Sequence, residues 1–197
     1  MSWFSRPDLT PDEVATFERT LAALREVQDA FAAARHDPDV LAAVGEQLRD
    51  VAARLAPLHA SADDQLSGRV LELPSRGSAL VPPVVERLRT SERFEGTVRL
   101  GRWAMGSNMA AHGGVIPLVL DEVLGVLAVR RASGRTRTAY LTTQYRAVTP
   151  VDRDLDVVAW VESVEGRKLF VRGEIRHEGV LTAESQALFV VLRDGAP

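Results

Sequence analysis

The chain of 197 residues contains no cysteine, which excludes disulfides, thiol catalysis and cysteine-ligated metal. His36, His59 and His177 have no partners at metal-ligand spacing, so no metal is expected. A basic excess is also missing: the formal charge is −3 and the pI about 5.8, which argues against general attraction to nucleic acid or anionic membrane. No apolar run approaches the roughly 18 residues of a membrane span, and Met1-Ser2-Trp3-Phe4-Ser5-Arg6-Pro7 has no signal-peptide core. These absences predict a cytoplasmic protein with no nucleic-acid and no membrane partner. Internal repeats and low-complexity tracts are absent as well. What is present is a hydrophobic content of 46%, enough for a real core in one domain with an extension.

Thr10-Pro11-Asp12-Glu13 predicts a helix start, with Thr10 as N-cap, Pro11 at the first position and Glu13 closing a capping box. Val14, Phe17, Leu21, Leu24 and Phe31 follow at helical spacing. Asp37-Pro38 repeats the signal, and Val40, Val44, Leu48, Val51 and Leu55 line one face up to Pro57. The two are expected to form an antiparallel pair, a helical extension over 1–60. Residues 61–93 carry Ser67-Gly68, Pro74, Gly77 and Pro82-Pro83, which predicts an irregular connection with one short helix around Val84–Leu88. The pattern then turns to strands: Thr97–Ala104, Thr138–Val148, Leu155–Val164, Lys168–His177 and Leu181–Leu192. Glu165-Gly166 and Glu178-Gly179 supply hairpin turns.

Between the first strand and the other four lies the most informative stretch. His112-Gly113-Gly114 opens Val115–Val129, a run apolar on nearly every side that holds Asp121 nine residues after the histidine, with Glu122 beside it. A helix apolar all round must be buried on most sides, and the economical cover is an antiparallel sheet wrapped around it, an α+β fold over 94–193. Positions three and four away from Asp121 are Pro117, Leu118, Leu124 and Gly125, so it lacks a basic partner on its own helix. Amides at Gly113 and Gly114, expected in the first helical turn, can bind a developing oxyanion. The chemistry that fits is acyl transfer to water, with Asp121 attacking a carbonyl or activating a water. Glu122 competes for that role.

These residues resemble the hotdog-fold acyl-CoA thioesterases, in particular the phenylacetic-acid-pathway type and the 4-hydroxybenzoyl-CoA thioesterases. Besides the glycine pair and the acid, Thr138-Ala139-Tyr140-Leu141-Thr142-Thr143-Gln144-Tyr145-Arg146 and Gly179–Phe189 are similar to the family's strands. The resemblance implies that Asp121 is the catalytic carboxylate, that the Gly113 N–H polarises the thioester carbonyl, and that His112 orients the loop or touches the thioester. It implies that Thr138 holds the water, and that sites form at a dimer interface, Asp121 from one subunit and His112-Gly113 from the other, in a homodimer or homotetramer. The asparagine that many relatives carry six residues before the histidine is Gly106 here, so that either Asn108 takes its role through a loop shift or the second carbonyl contact is absent. A threonine of some relatives, four residues after the acid, is Gly125.

Substrate contacts are expected from Gly114 and Asn108, and Arg146, Arg167 and Lys168 are candidates for the phosphates of coenzyme A. Coenzyme A would belong to the substrate, and no separate cofactor is expected. Trp103, Met105, Met109 and Phe170 are candidates for a pocket wall. The expected activity is hydrolysis of an acyl-CoA, or an acyl carrier protein, to free acid and thiol. The alternative is a non-catalytic hotdog module that binds acyl-CoA or a protein partner.

Overall fold

The protein is described from a computed structural model that covers residues 8–61, 64–132 and 134–193; the reading of Met1–Pro7 falls outside them. Helix α1 (Pro11–Ala33) begins with the expected capping box, in which Thr10 accepts from the Glu13 N–H and Glu13 accepts from the Thr10 N–H at 2.8 Å. Helix α2 (Pro38–Leu55) is capped by Asp37, which accepts from the Val40 N–H. Strands β1 (Val84–Arg89) and β2 (Arg93–Arg99) and a small hairpin of β3 (Met105–Ser107) and β4 (Ala110–Ala111) precede helix α3 (Val115–Ala132). Strands β5 (Thr136–Tyr145), β6 (Asp154–Glu165), β7 (Lys168–His177) and β8 (Val180–Val191) complete an antiparallel six-stranded sheet in the order β1-β2-β6-β7-β8-β5.

Period-two alternation decides which face of the sheet meets α3. Leu155, Val157 and Ala159 of β6 and Leu169, Val171 and Ile175 of β7 are fully buried with Ile116, Leu120, Leu124 and Leu127 of α3 in one core. Each large side chain so buried contributes about 1.5–3 kcal/mol. The turns behave as their residues dictate: Gly166, Glu178 and Gly179 all have positive φ, the conformation a tight hairpin needs. At Gly173 in β7 the helix comes closest, since an added Cβ would lie 3.0 Å from Leu124 Cδ2 and 3.2 Å from Leu120 Cδ2. That glycine sets the depth of α3 at the level of Asp121.

Three expectations need correction. Val84–Leu88 is not a helix but edge strand β1, because two β-branched valines after Pro82-Pro83 pair with β2 through Val84 opposite Val98. The strand expected over Thr97–Ala104 ends at Arg99, and Arg102–Ala104 forms a turn of 3₁₀ helix. The helices α1 and α2 are not an antiparallel pair: α2 has no buried residue and does not pack along α1. Instead α1 docks on the body through positions four apart. Phe17 reaches Gly77, Leu21 is buried, Arg25 donates to the carbonyl oxygens of Ser78 at 2.8 Å and Val81 at 3.4 Å, and Asp29 accepts from the Trp103 N–H at 3.1 Å. Burial pushes the Arg25 guanidinium below its usual range. Two polar side chains thus took docking positions that a hydrophobic reading gave to Leu24 and Phe31, which are exposed. Among the described residues no helix is long and apolar enough to cross a membrane.

Replacing Gly173 with Ala must push α3 off the sheet or distort β7. A stability loss of about 1–3 kcal/mol is expected, measurable as a lower midpoint in urea unfolding at unchanged slope.

Candidate active site

Asp121 lies two turns into α3, half-buried, and accepts a hydrogen bond from Thr138 Oγ1 of β5 at 3.2 Å. No cation pairs with it among the described residues. Glu122 is in the opposite situation. Arg76 Nε and Nη2 hold its two oxygens at 2.9 and 2.6 Å, and its side chain is only 7% exposed. A carboxylate gripped by both arms of a guanidinium is neutralised and fixed in place, so the chemically available acid of the pair is Asp121.

The cavity around Asp121 has a volume of about 390 Å³. Its α3 side is Asp121, Glu122, Gly125, Val126 and Val129; Thr136, Arg137 and Thr138 of β5 and Phe189 of β8 form another side; Gln65, Ser67, Gly68, Arg69 and Arg76 cover it from the connection. The apolar girdle of α3 is therefore covered twice, by the sheet on one side and by the connection on the other.

The glycine pair stands just outside the helix, since α3 begins at Val115; it was expected in the first turn. His112 Nδ1 accepts from the Gly114 N–H at 3.0 Å, so the proton of the neutral ring is on Nε2. A Cβ on Gly114 would sit 3.2 Å from that nitrogen, which is why the ring can fold over this residue. The Gly114 amide is thus engaged, and among the described residues the Gly113 N–H has no acceptor. The Gly113 carbonyl accepts from Tyr145 Oη at 2.6 Å, tying the loop to the end of β5.

These two groups do not line one cavity in a single chain. Asp121 and Thr138 come together, but His112, Gly113, Gly114 and Asn108 lie outside their cavity, eight residues or about 12 Å of helical rise before Asp121 in the case of Gly113. Asn108 is at the tip of the β3–β4 hairpin with φ 49°, followed by Met109 with φ 61°, a turn conformation that asparagine tolerates. Arg146 is bound by Glu184 at 2.6 Å and by Gln144 on the sheet face away from α3. Arg167 donates to the Val191 carbonyl at 2.9 Å in the β6–β7 turn, where exposed Lys168 begins β7. None of the three cations lines the cavity; the arginines that do are Arg69, Arg76 and Arg137. Nor do Trp103, Met105, Met109 or Phe170 form its wall. The pairing of Arg76 with Glu122, 46 positions apart, leaves no signal in local periodicity, and the tie from Tyr145 to Gly113 none either.

Residues 109–184 match the family model of the thioesterase superfamily. The acyl-coenzyme A thioesterase THEM4 of Xenopus laevis is 34% identical over 94 residues, which are 47% of this chain and 42% of that protein. The chain spans less than half the length of the curated relatives it matches. A solved thioesterase superfamily protein is 30% identical with a TM-score of 0.76, covering 94% of this chain and 93% of its own. A hypothetical thioesterase protein of Streptococcus pneumoniae solved with coenzyme A has a TM-score of 0.52 at 14% identity, covering 55% of this chain and 85% of its own.

The hydroxyl of Tyr145 is what restrains the glycine loop. Tyr145→Phe is expected to raise amide exchange at Gly114, whose N–H is bonded to His112, about tenfold, with exchange in β6 and β7 unchanged, as read by hydrogen–deuterium exchange.

Proposed function

The chain belongs to the thioesterase superfamily, and from that premise we propose that it hydrolyses acyl-CoA thioesters to a free acid and coenzyme A. The observation that carries the reading is the contrast between two adjacent acids: Glu122 is neutralised by Arg76, and Asp121 is left with only a hydroxyl partner, Thr138. The Thr138 hydroxyl, bonded directly to one Asp121 oxygen at 3.2 Å, leaves the other carboxylate oxygen to take a water from the half-apolar cavity, with the hydroxyl oxygen beside it as a second contact. In the reaction, Asp121 takes a proton from that water as its oxygen attacks the thioester carbonyl carbon. The Gly113 N–H stabilises the resulting oxyanion. Collapse of the tetrahedral intermediate breaks the carbon–sulfur bond, and the thiolate leaves with the proton that Asp121 received.

Because Gly113 does not line the cavity that holds Asp121 of the same chain, the reading assigns the oxyanion contact to a second copy. Strand β5 supports this. It is an edge of the sheet, with Thr138, Tyr140, Thr142 and Gln144 exposed along it, and an unpaired edge of this length is ordinarily covered. His112, with its Nε2–H turned outward from the Gly114 amide, orients the loop or meets the thioester. Arg167 and Lys168 lie at the sheet end where Val191 pairs with Thr136, two residues from Thr138; there they can meet the phosphates of coenzyme A. Arg146, locked by Glu184 at the other end of β5, is the weaker contact. The wording of two relatives agrees with the substrate class: one is an acyl-coenzyme A thioesterase and another was solved with coenzyme A.

Asp121→Asn is expected to lower kcat with acyl-CoA by about 10²–10⁴-fold, with an unchanged circular dichroism spectrum; full turnover in that variant sinks the assignment. Gly113→Pro, which removes the amide proton, should be inactive too. Mixing the two inactive variants, after unfolding and refolding them together, should restore about a quarter of wild-type activity, because half of the dimers are mixed and each has one intact site. A site built within one chain would give no recovery.

A further inference from the structure

Resting on the thioesterase reading, we propose that Arg76 sets acyl-chain length: its ion pair with Glu122 closes the acyl slot beside Asp121 and limits it to medium-chain acyl groups. Two cavities, of about 390 and 350 Å³, meet at this pair, and Arg76, Glu122 and Val126 are the residues they share. The first runs from Asp121 over Gly125, Val126, Val129 and Phe189, about 12 Å along α3. Its floor along α3, Gly125, Val126 and Val129 with Phe189 beside them, is an apolar strip, the surface that an acyl tail gains by burying. The second cavity has an apolar side of Leu71, Leu73, Pro74, Phe94 and Val123, with Glu72, Glu86 and Arg89 at its polar side. Arg76 stands between the two. A chain long enough to enter the second space must part the guanidinium from Glu122, leaving a buried carboxylate without its partner, which is strongly unfavourable.

The partition is firmly held. Ser75 and Arg76 both have left-handed backbone, φ 49° and 55°, uncommon for residues with side chains. Buried Ser75 Oγ donates to the Pro82 carbonyl at 2.7 Å and accepts from the Val84 N–H at 3.1 Å, and Arg25 of α1 holds the Ser78 carbonyl. The wall belongs to the part of the chain before β1. The compact Streptococcus pneumoniae neighbour matches 55% of the chain, about the share that residues 84–191 make up, whereas the longer solved neighbour matches 94%. Chain-length selection is thus a property the extension adds to the hotdog body.

The test is kcat/KM for acetyl-, octanoyl- and tetradecanoyl-CoA with the full chain. The wild type should favour octanoyl over tetradecanoyl. In Arg76→Ala/Glu122→Gln, which joins the cavities without stranding a charge, the tetradecanoyl-to-octanoyl ratio should rise about tenfold, through KM rather than kcat. Arg76→Lys keeps a cation on Glu122 and should keep most of the wild-type selectivity. Val129→Phe, which fills the slot at the end away from Asp121, should lower the octanoyl-to-acetyl ratio by about the same factor. A double variant that is folded and active with the wild-type ratio overturns this inference alone, as does an unchanged ratio in Val129→Phe. No turnover of any acyl-CoA by the wild type overturns the thioesterase reading and this one with it.

Discussion

The structure depends on one constraint, the need to cover α3 on every side while two adjacent carboxylates sit in it. A helix with a fully buried stripe of Ile116, Val119, Leu120, Val123, Leu124, Leu127 and Ala128, and with Leu118, Val126 and Val129 on its other face half-buried, needs cover on both sides. The sheet satisfies half of that demand, with Gly173 letting the backbone of β7 come close. The connection before β1 satisfies the other half, and it meets Glu122 in doing so. Arg76 answers that charge with two hydrogen bonds. Asp121, one residue earlier and turned toward β5, falls beyond the reach of Arg76 and takes only the Thr138 hydroxyl.

The same geometry separates stability from chemistry. The acid that is paired is the one nearly closed off from solvent, and the acid that is not paired opens on a cavity with water access. Burying Glu122 without Arg76 would cost several kcal/mol, so the ion pair that stands where the two cavities meet is also one the fold depends on. The glycine loop is organised independently, by His112 on one amide and Tyr145 on one carbonyl, and both ties leave the Gly113 N–H available. The proposed function joins the acid on α3 to the loop before it across two copies of the chain, since the two do not line one cavity.

Much of this was legible in order along the chain. The capping box at Thr10, the alternation in Leu155–Val164 and Lys168–His177, and the turns at Gly166 and Gly179 are local features whose physics acts within a few residues, and the structure has them at those positions. Asp121 stood out because nothing on its own helix neutralises it. Val84–Leu88 was misread as a helix because a six-residue edge strand with Val85 and Leu88 exposed lacks a clear alternation, and its state is decided by pairing with β2. The docking stripe of α1 was misread because Arg25 and Asp29 are polar in sequence yet meet carbonyls and an amide of another segment. The cations nominated for phosphate are on turns or on the far sheet face, and the cavity's own arginines come from two distant segments, Arg69 and Arg76 of the connection and Arg137 of β5.

What the sequence by itself determined is most of the elements, the three helices and the strands from β5 to β8 among them, and the placing of two acids, Asp121 and Glu122, on one apolar helix, since helix caps, strand alternation and apolar runs are properties of neighbouring residues. What only the tertiary structure decided is which distant groups complete them. The neutralisation of Glu122, the hold of Tyr145 on Gly113, and the closing of the cavity by the connection all join residues 32 to 46 or more positions apart. Such contacts are set by how a wholly apolar helix is covered, and no local pattern encodes them.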